Sequence, residues 1–184
     1  MMDDKAFEER QLASELIFDG KVLHVYRDVI GLPNGKEGFR EYCRHGGAVC
    51  VVPLTDHNEV ICVRQYRYAV GKVVLEIPAG KLDSPDEDPL EAAVRELREE
   101  TGYRNATVTS IGNLYTSPAL LSEVIYMYLA ENMTPGDVDP DEDEFLEIVK
   151  IPLDEMVGMI LRGEIMDAKT QAAVLKVWAM RGNG

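Results

Sequence analysis

The 184-residue sequence is short of cysteine, of basic charge and of long apolar runs. Its three cysteines are Cys43, Cys50 and Cys62. They are odd in number and lack Cys-x-x-Cys spacing, so neither a disulfide framework nor a zinc site is indicated. Cys50 and Cys62 lie in apolar runs and read as core thiols, which fits a cytoplasmic address. No stretch reaches the ~18 consecutive apolar residues of a membrane span. Residues 1–10 are acidic and polar, with neither the basic nor the apolar region of a secretory signal. Lys plus Arg number 19 against 33 Asp plus Glu, a net charge of −14. Such a balance argues against a general nucleic-acid binder, which needs basic surface to displace counterions, and against a protein resting on anionic lipid. His24, His45 and His57 show no ligand spacing and receive no role. The chain has no internal repeat and no low-complexity tract.

What remains is globular: 46% hydrophobic and 28% charged residues, enough for one domain or one domain with a small appendage. Leu16 to Ile30 is rich in Val, Ile, Leu and Tyr and reads as strand, Leu32-Pro33-Asn34-Gly35 as a turn, and Phe39 to Arg44 as a return strand. Residues 1–45 thus form a small β unit that buries too little to stand alone. At Gly46-Gly47 the character changes, and 46–184 is expected to form the main domain. Ala48 to Leu54 reads as a strand buried on both faces. Strands follow at Val60 to Tyr66 and Val73 to Ile77. Asp88-Pro89 opens a helix that closes at Gly102, with Leu90, Ala93, Val94 and Leu97 as its apolar stripe. Further strands are expected near Ala106 to Leu114, Glu123 to Ala130 and Phe145 to Ile151. Asn132 to Glu144 is a long acidic connection, a length that usually carries function or disorder. Two helices end the chain. One runs from Pro152 to Gly163; the other is capped by Asp167 and carries Ala172, Leu175, Val177 and Trp178. Mostly antiparallel strands with one inserted and two closing helices predict an α+β layered fold.

The helix after Asp88 carries the chemistry. Residues three and four apart share a helix face, so Glu96, Glu99 and Glu100 present their carboxylates together. Alone, such a pattern is common on solvated faces. Here a glycine turn, Ala79-Gly80, follows a strand and leads into the helix, so a backbone carbonyl can join the cluster. Arg95 is one charge against several. A hard divalent cation such as Mg²⁺ or Mn²⁺ is the natural counterion for clustered carboxylates.

This stretch resembles the signature of the Nudix hydrolases: Gly80, Glu87, then Arg95-Glu96-Leu97-Arg98-Glu99-Glu100-Thr101-Gly102-Tyr103. From Glu87 onward the spacing matches. Six residues rather than five separate Gly80 from Glu87, an insertion in the loop containing Pro85, and Tyr103 stands where an aliphatic residue is usual. His45-Gly46-Gly47-Ala48-Val49, Arg64-Gln65-Tyr66-Arg67, Leu75-Glu76-Ile77-Pro78-Ala79-Gly80, Ser117-Pro118 and Glu144-Phe145-Leu146-Glu147 are similar to the ADP-ribose pyrophosphatase branch of that family.

The resemblance implies a Nudix-like α/β/α sandwich with a mixed sheet, preceded by an N-terminal antiparallel unit of the kind exchanged across a homodimer. It implies Mg²⁺, with Mn²⁺ as substitute, held by Glu96, Glu100 and the Ala79 carbonyl, with Glu99 a further ligand or a base. It implies hydrolysis of ADP-ribose to AMP and ribose 5-phosphate by water attacking phosphorus. Arg95, Glu87, Gly80, Gly102 and Pro118 hold the motif in shape. The general base falls in the acidic connection, with Glu144 first and Glu142 second. Arg67 is the expected phosphate ligand, and Arg40, Glu76 and Gly80 are further substrate contacts; Phe18 or Tyr26 is a candidate to stack on the base. Alternative substrates are GDP-mannose, ADP-glucose and NADH. A nucleotide-sugar sensor without turnover is the non-enzymatic alternative. The expected partners are a small nucleotide-sugar substrate and a second copy of the chain, with no nucleic acid and no membrane.

Overall fold

Alternating burial organises the chain. In a computed structural model that describes residues 3–139 and 145–182, the strands are β1 (Arg10–Asp19), β2 (His24–Gly31), β3 (Glu37–Arg44), β4 (Ala48–Pro53), β5 (Glu59–Arg67), β6 (Lys72–Glu76), β7 (Ala79–Lys81), β8 (Thr107–Tyr115), β9 (Val124–Glu131) and β10 (Glu147–Pro152). The helices are α1 (Pro89–Thr101), α2 (Leu153–Leu161) and α3 (Ala168–Met180). No helix among the described residues is long and apolar enough to cross a membrane.

The chain divides into two compact units, Met1–Gly46 with Ser117–Glu123, and Gly47–Thr116 with Val124–Gly184. The first is an antiparallel sheet in the order β1-β2-β3. The single strand-rich run expected from Leu16 to Ile30 is broken at Gly20, whose amide bonds the Leu23 carbonyl at 2.8 Å and turns the chain between β1 and β2. Ser117–Glu123, far away in sequence, joins this unit: the Cys43 amide donates to the Leu120 carbonyl at 2.8 Å, and the His45 amide to Ser122 Oγ at 2.9 Å. A division at residue 45 assigns that segment to the second unit instead. Every residue of β1 is exposed, including Leu12, Leu16, Ile17 and Phe18.

In the second unit β4 is buried along its whole length, as its unbroken apolar run predicts. Its successive side chains serve two cores. Val49 and Val51 pack with Ala92, Ala93 and Leu97 of α1. Ala48, Cys50 and Val52 pack with Leu153, Met156 and Val157 of α2 and with Ala173, Val174 and Val177 of α3. The sheet between these layers runs β7-β4-β9-β8 and is mixed: β4 and β9 are parallel, the other pairs antiparallel. A second, antiparallel sheet runs β10-β5-β6. This is the expected α/β/α sandwich. Burial lifts the Cys50 and Cys62 thiols to about 12, so both are inert core side chains.

The α1 stripe differs from the expected one. Leu90 and Val94 are exposed, and the buried face is Ala92, Ala93, Glu96, Leu97, Glu100 and Thr101. Two of the carboxylates lie on the core side, and that rotates the apolar stripe by about one position. On α3 the buried face is Thr170, Ala173, Val174 and Val177. Ala172 is exposed, Leu175 and Trp178 pack at the core margin, and Trp178 Nε1 donates to Asp154 at 3.0 Å. If this phase is right, Leu97→Ala costs about 2–5 kcal/mol in urea unfolding, the range for a buried leucine. Val94→Ala stays within about 0.5 kcal/mol, as for a surface change.

Candidate active site

The site begins with the ends of α1. Asp88 caps it by accepting from the Leu90 amide at 2.7 Å, and Pro89 presets the first helical residue. Gly102 closes it at φ +75°, its amide bonding the Arg98 carbonyl at 2.8 Å. A Cβ at Gly102 would also collide with the Gly136 carbonyl. Both requirements explain a glycine there.

Between these caps Glu96 and Glu100 are turned inward against β7, and Glu100 is 1% exposed. The Ala79 amide donates to Glu100 Oε2 at 3.3 Å. The Glu96 carboxylate lies so close to Gly80 that a Cβ on residue 80 would overlap it. Gly80 is therefore the residue that admits a buried carboxylate to the strand. Arg95 gathers the surrounding charge. Its Nη1 bonds Glu96 Oε1 at 2.7 Å and Glu99 Oε2 at 3.3 Å, its Nε bonds Glu87 Oε1 at 3.2 Å, and its Nη2 donates to the Lys81 carbonyl at 3.2 Å. Burial lowers the affinity of Arg95 for its proton, but the bonds from Glu87 and Glu96 outweigh it and the guanidinium is held well above its usual range. Glu87 is held below the usual carboxylate range, first by the Asp83 amide at 2.6 Å and then by Arg95. Arg98 pairs with Glu99 at 2.7 Å.

In this arrangement Glu96 and Glu99 are drawn to Arg95. Among the described residues no group of three acidic, histidine or cysteine side chains is spaced to hold an ion. The donor set nonetheless fits a hard divalent cation: it is oxygen only, with no histidine or thiolate.

Glu100 opens onto a cavity of about 530 Å³ whose other walls include Arg64, Tyr66, Val73, Val138 and Phe145. The acidic connection enters here. Arg104 and Thr134 exchange backbone bonds at 2.9 and 2.8 Å, and the Asp139 amide donates to the Glu99 carbonyl at 3.1 Å. Residues on either side of 140–144 thus border the carboxylate helix or its cavity. Glu142 and Glu144 lie outside the described residues.

Arg67 and Glu76 meet outside that cavity. Arg67 donates from Nε to Glu76 Oε1 at 2.8 Å and from Nη2 to Oε2 at 3.1 Å. The Glu76 side chain is 2% exposed. Lys169, at the first turn of α3, is its second cation. Burial opposes the charge on Arg67, but Glu76, with Glu100 and Asp167 further off, raises its pKa overall. Arg67, Glu76, Asp167 and Lys169, with Val74 and Met166, border a second cavity of about 380 Å³. The alternation along β6 assigns Val73 to the Glu100 cavity and Lys72, Val74 and Glu76 to this one.

No sequence pattern singles out Lys169. Its signal is electrostatic: a lysine two residues after an N-cap sits against the positive end of the helix macrodipole. Arg40 and Pro118 belong to the first unit. Arg40 pairs with Glu9 and donates to the Phe39 carbonyl at 2.9 Å. Pro118 follows Ser117, whose carbonyl accepts from Leu120 and Leu121 in a tight turn. Tyr26 stacks on Tyr42 at 5.8 Å between centroids, under the Arg44 guanidinium, and Phe18 is exposed.

A glycine that admits a carboxylate, a capped helix of glutamates and an arginine hub are the parts of a Nudix box, and residues 44–173 match the NUDIX domain. The chain belongs to the Nudix family. It is 41% identical, over 92% of both chains, to an ADP-ribose pyrophosphatase of Bacillus subtilis and equally to a methanol dehydrogenase activator of Bacillus methanolicus. Its fold is similar to that of the crystal structure of an ADP compounds hydrolase, with a TM-score of 0.85 and 27% identity over 96% of each chain. A divalent metal requirement goes with the family and matches the oxygen-only donors. Gly80→Ala is expected to displace the Glu96 carboxylate and to lower metal-dependent turnover about a hundredfold, the scale for a misplacement of about 1 Å. Steady-state assays alongside thermal melting will separate that loss from unfolding.

Proposed function

We propose that the chain is a Mg²⁺-dependent hydrolase of ADP-ribose, forming AMP and ribose 5-phosphate. The observation that carries this reading is the burial of Glu96 and Glu100 against Ala79 and Gly80. Two carboxylates on the core side of one helix cost folding energy unless a ligand repays it. The identity to an ADP-ribose pyrophosphatase supports the choice of substrate.

Glu96, Glu100 and the Ala79 carbonyl would hold the ion, with Mn²⁺ a substitute and Glu99 a further ligand or base. The ion's chemistry is to neutralise the diphosphate and lower the pKa of water. Arg95 restrains Glu96 and Glu99 and keeps Glu87 and the end of β7 at Lys81 in register with them. Arg67 meets the phosphate, and Glu76 and Gly80 shape its surroundings. Glu144, with Glu142 second, takes the proton from the attacking water; Val138 and Phe145, which flank that segment, border the Glu100 cavity. The exposed apolar residues of β1 support a homodimer formed through the first unit. The free thiols, two of them buried in the core, support a cytoplasmic setting. Equal identity to a dehydrogenase activator favours a second reading, in which the chain also acts on a dehydrogenase.

The test is a panel of ADP-ribose, GDP-mannose, ADP-glucose, NADH and 8-oxo-dGTP, with Mg²⁺ or a chelator, and a methanol dehydrogenase assayed with and without the chain. AMP and ribose 5-phosphate are expected from ADP-ribose, and only with metal. No product from any compound would replace the enzyme by a sensor; a faster dehydrogenase would support the second reading. Glu100→Gln is expected to abolish turnover while the melting temperature holds or rises, because a crowded charge is removed. Glu144→Gln is expected to lower kcat far more than metal affinity. Loss of metal binding in that variant would make Glu144 a ligand instead.

A further inference from the structure

We propose that Lys169 is a positioning residue for substrate binding, acting through Glu76 on Arg67. The proposal rests on the reading above in which Arg67 meets the diphosphate. Glu76 is almost wholly buried, yet it takes two cations where one would balance it. The two differ in kind. Lys169 is 11% exposed and is shared with Asp167 at 3.1 Å, whereas Arg67 is 43% exposed. Lys169 is thus the fixed counterion and Arg67 the one facing outward.

The anchoring of Lys169 explains its fixity. Asp167 caps α3, accepting from the Thr170 amide at 2.9 Å and from Thr170 Oγ1 at 2.6 Å. Thr170 Oγ1 in turn accepts from the Ile77 amide at 3.0 Å. The first turn of α3 is therefore tied to Ile77, the residue that follows β6, and Lys169 is tied to the Glu76 carboxylate itself. Glu76, so held, grips Arg67 through two parallel bonds, the geometry that fixes a guanidinium plane as well as its charge. That grip uses Nε and Nη2. Nη1 has no protein partner among the described residues and is left for an anion. Without Lys169, Glu76 loses its second tether, and the arginine loses its fixed orientation but keeps its charge. The expected signature is weaker substrate binding with little change in the chemical step.

A double-mutant cycle tests this. Wild type, Lys169→Met, Lys169→Arg, Arg67→Ala and Lys169→Met/Arg67→Ala are assayed for kcat and KM with ADP-ribose and Mg²⁺, for ADP-ribose affinity by calorimetry and for melting temperature. Lys169→Met is expected to raise KM about tenfold, the low end for loss of an outer-shell partner, with kcat changed by less than about threefold. Lys169→Arg is expected to restore most of the affinity. Lys169→Met is expected to add nothing in the Arg67→Ala background, because coupled residues are non-additive. Effects that multiply in the double variant, or an unchanged KM with a lowered melting temperature, would overturn the proposal and leave Lys169 a helix anchor. Should the wild type reject ADP-ribose but hydrolyse another nucleoside diphosphate sugar, the substrate assignment fails and the cycle on that compound decides Lys169. A wild type that neither hydrolyses nor binds any of them overturns both readings.

Discussion

Burying like charges is the constraint on which the second unit is built. A helix of this amphipathicity would ordinarily turn its glutamates to water. Here Glu96 and Glu100 point to the core side, while Leu90 and Val94 are left outside. Each neighbouring feature answers to that inversion. Gly80 lacks the side chain that would collide with Glu96, the Ala79 amide serves Glu100, and Arg95 reaches Glu87, Glu96 and Glu99 together. Removing any one leaves a buried carboxylate less well compensated, which is far more costly than losing a surface pair.

The frame that makes this possible is β4. Because it is buried on both faces, it can carry α1 on one side and α2 and α3 on the other. Helices on opposite faces then both reach the short stretch from Glu76 to Lys81. From one face α1 supplies Glu96, Glu100 and Arg95; from the other α3 supplies Lys169 and Thr170. A few residues of extended chain are thus fixed by polar bonds from two layers. Polar groups in a buried stretch need such partners, and the same bonds leave the stretch little freedom to shift, as preorganised chemistry requires.

The parts of this arrangement that were legible in the sequence are those set by local rules. Asp88-Pro89 and Gly102 mark α1 because capping is a matter of one or two residues, and the run from Ala48 marks β4 because only a doubly buried strand tolerates it. The family was legible from the whole run from Gly80 to Tyr103, because the spacing of the glutamates alone is common on solvated faces. Long-range pairing was not legible. Nothing near Ser117–Glu123 signals that it joins a sheet formed by residues 10–44, and β7, three residues long, is defined by β4 and not by its own pattern. The phase of α1 was misread because periodicity rules place charge outward, a rule that fails where function reverses it. Lys169 was passed over because a single lysine on a helix is unremarkable until its partner is seen to be a buried glutamate.

Charge bookkeeping around the site explains why an acidic protein can handle an anionic substrate only with help. Arg67 and Lys169 are matched by Glu76 and Asp167. Arg95 and Arg98 are outnumbered by Glu87, Glu96 and Glu99, and Glu100 adds one more negative charge beside them. On the proposed reading the side chains therefore offer a diphosphate orientation and hydrogen bonds but no surplus of positive charge. Attraction must come from divalent ions, and the excess of carboxylates is what would retain those ions. The acidity that argues against nucleic-acid binding across the whole chain is, at this site, the property that selects a cation and through it a phosphate.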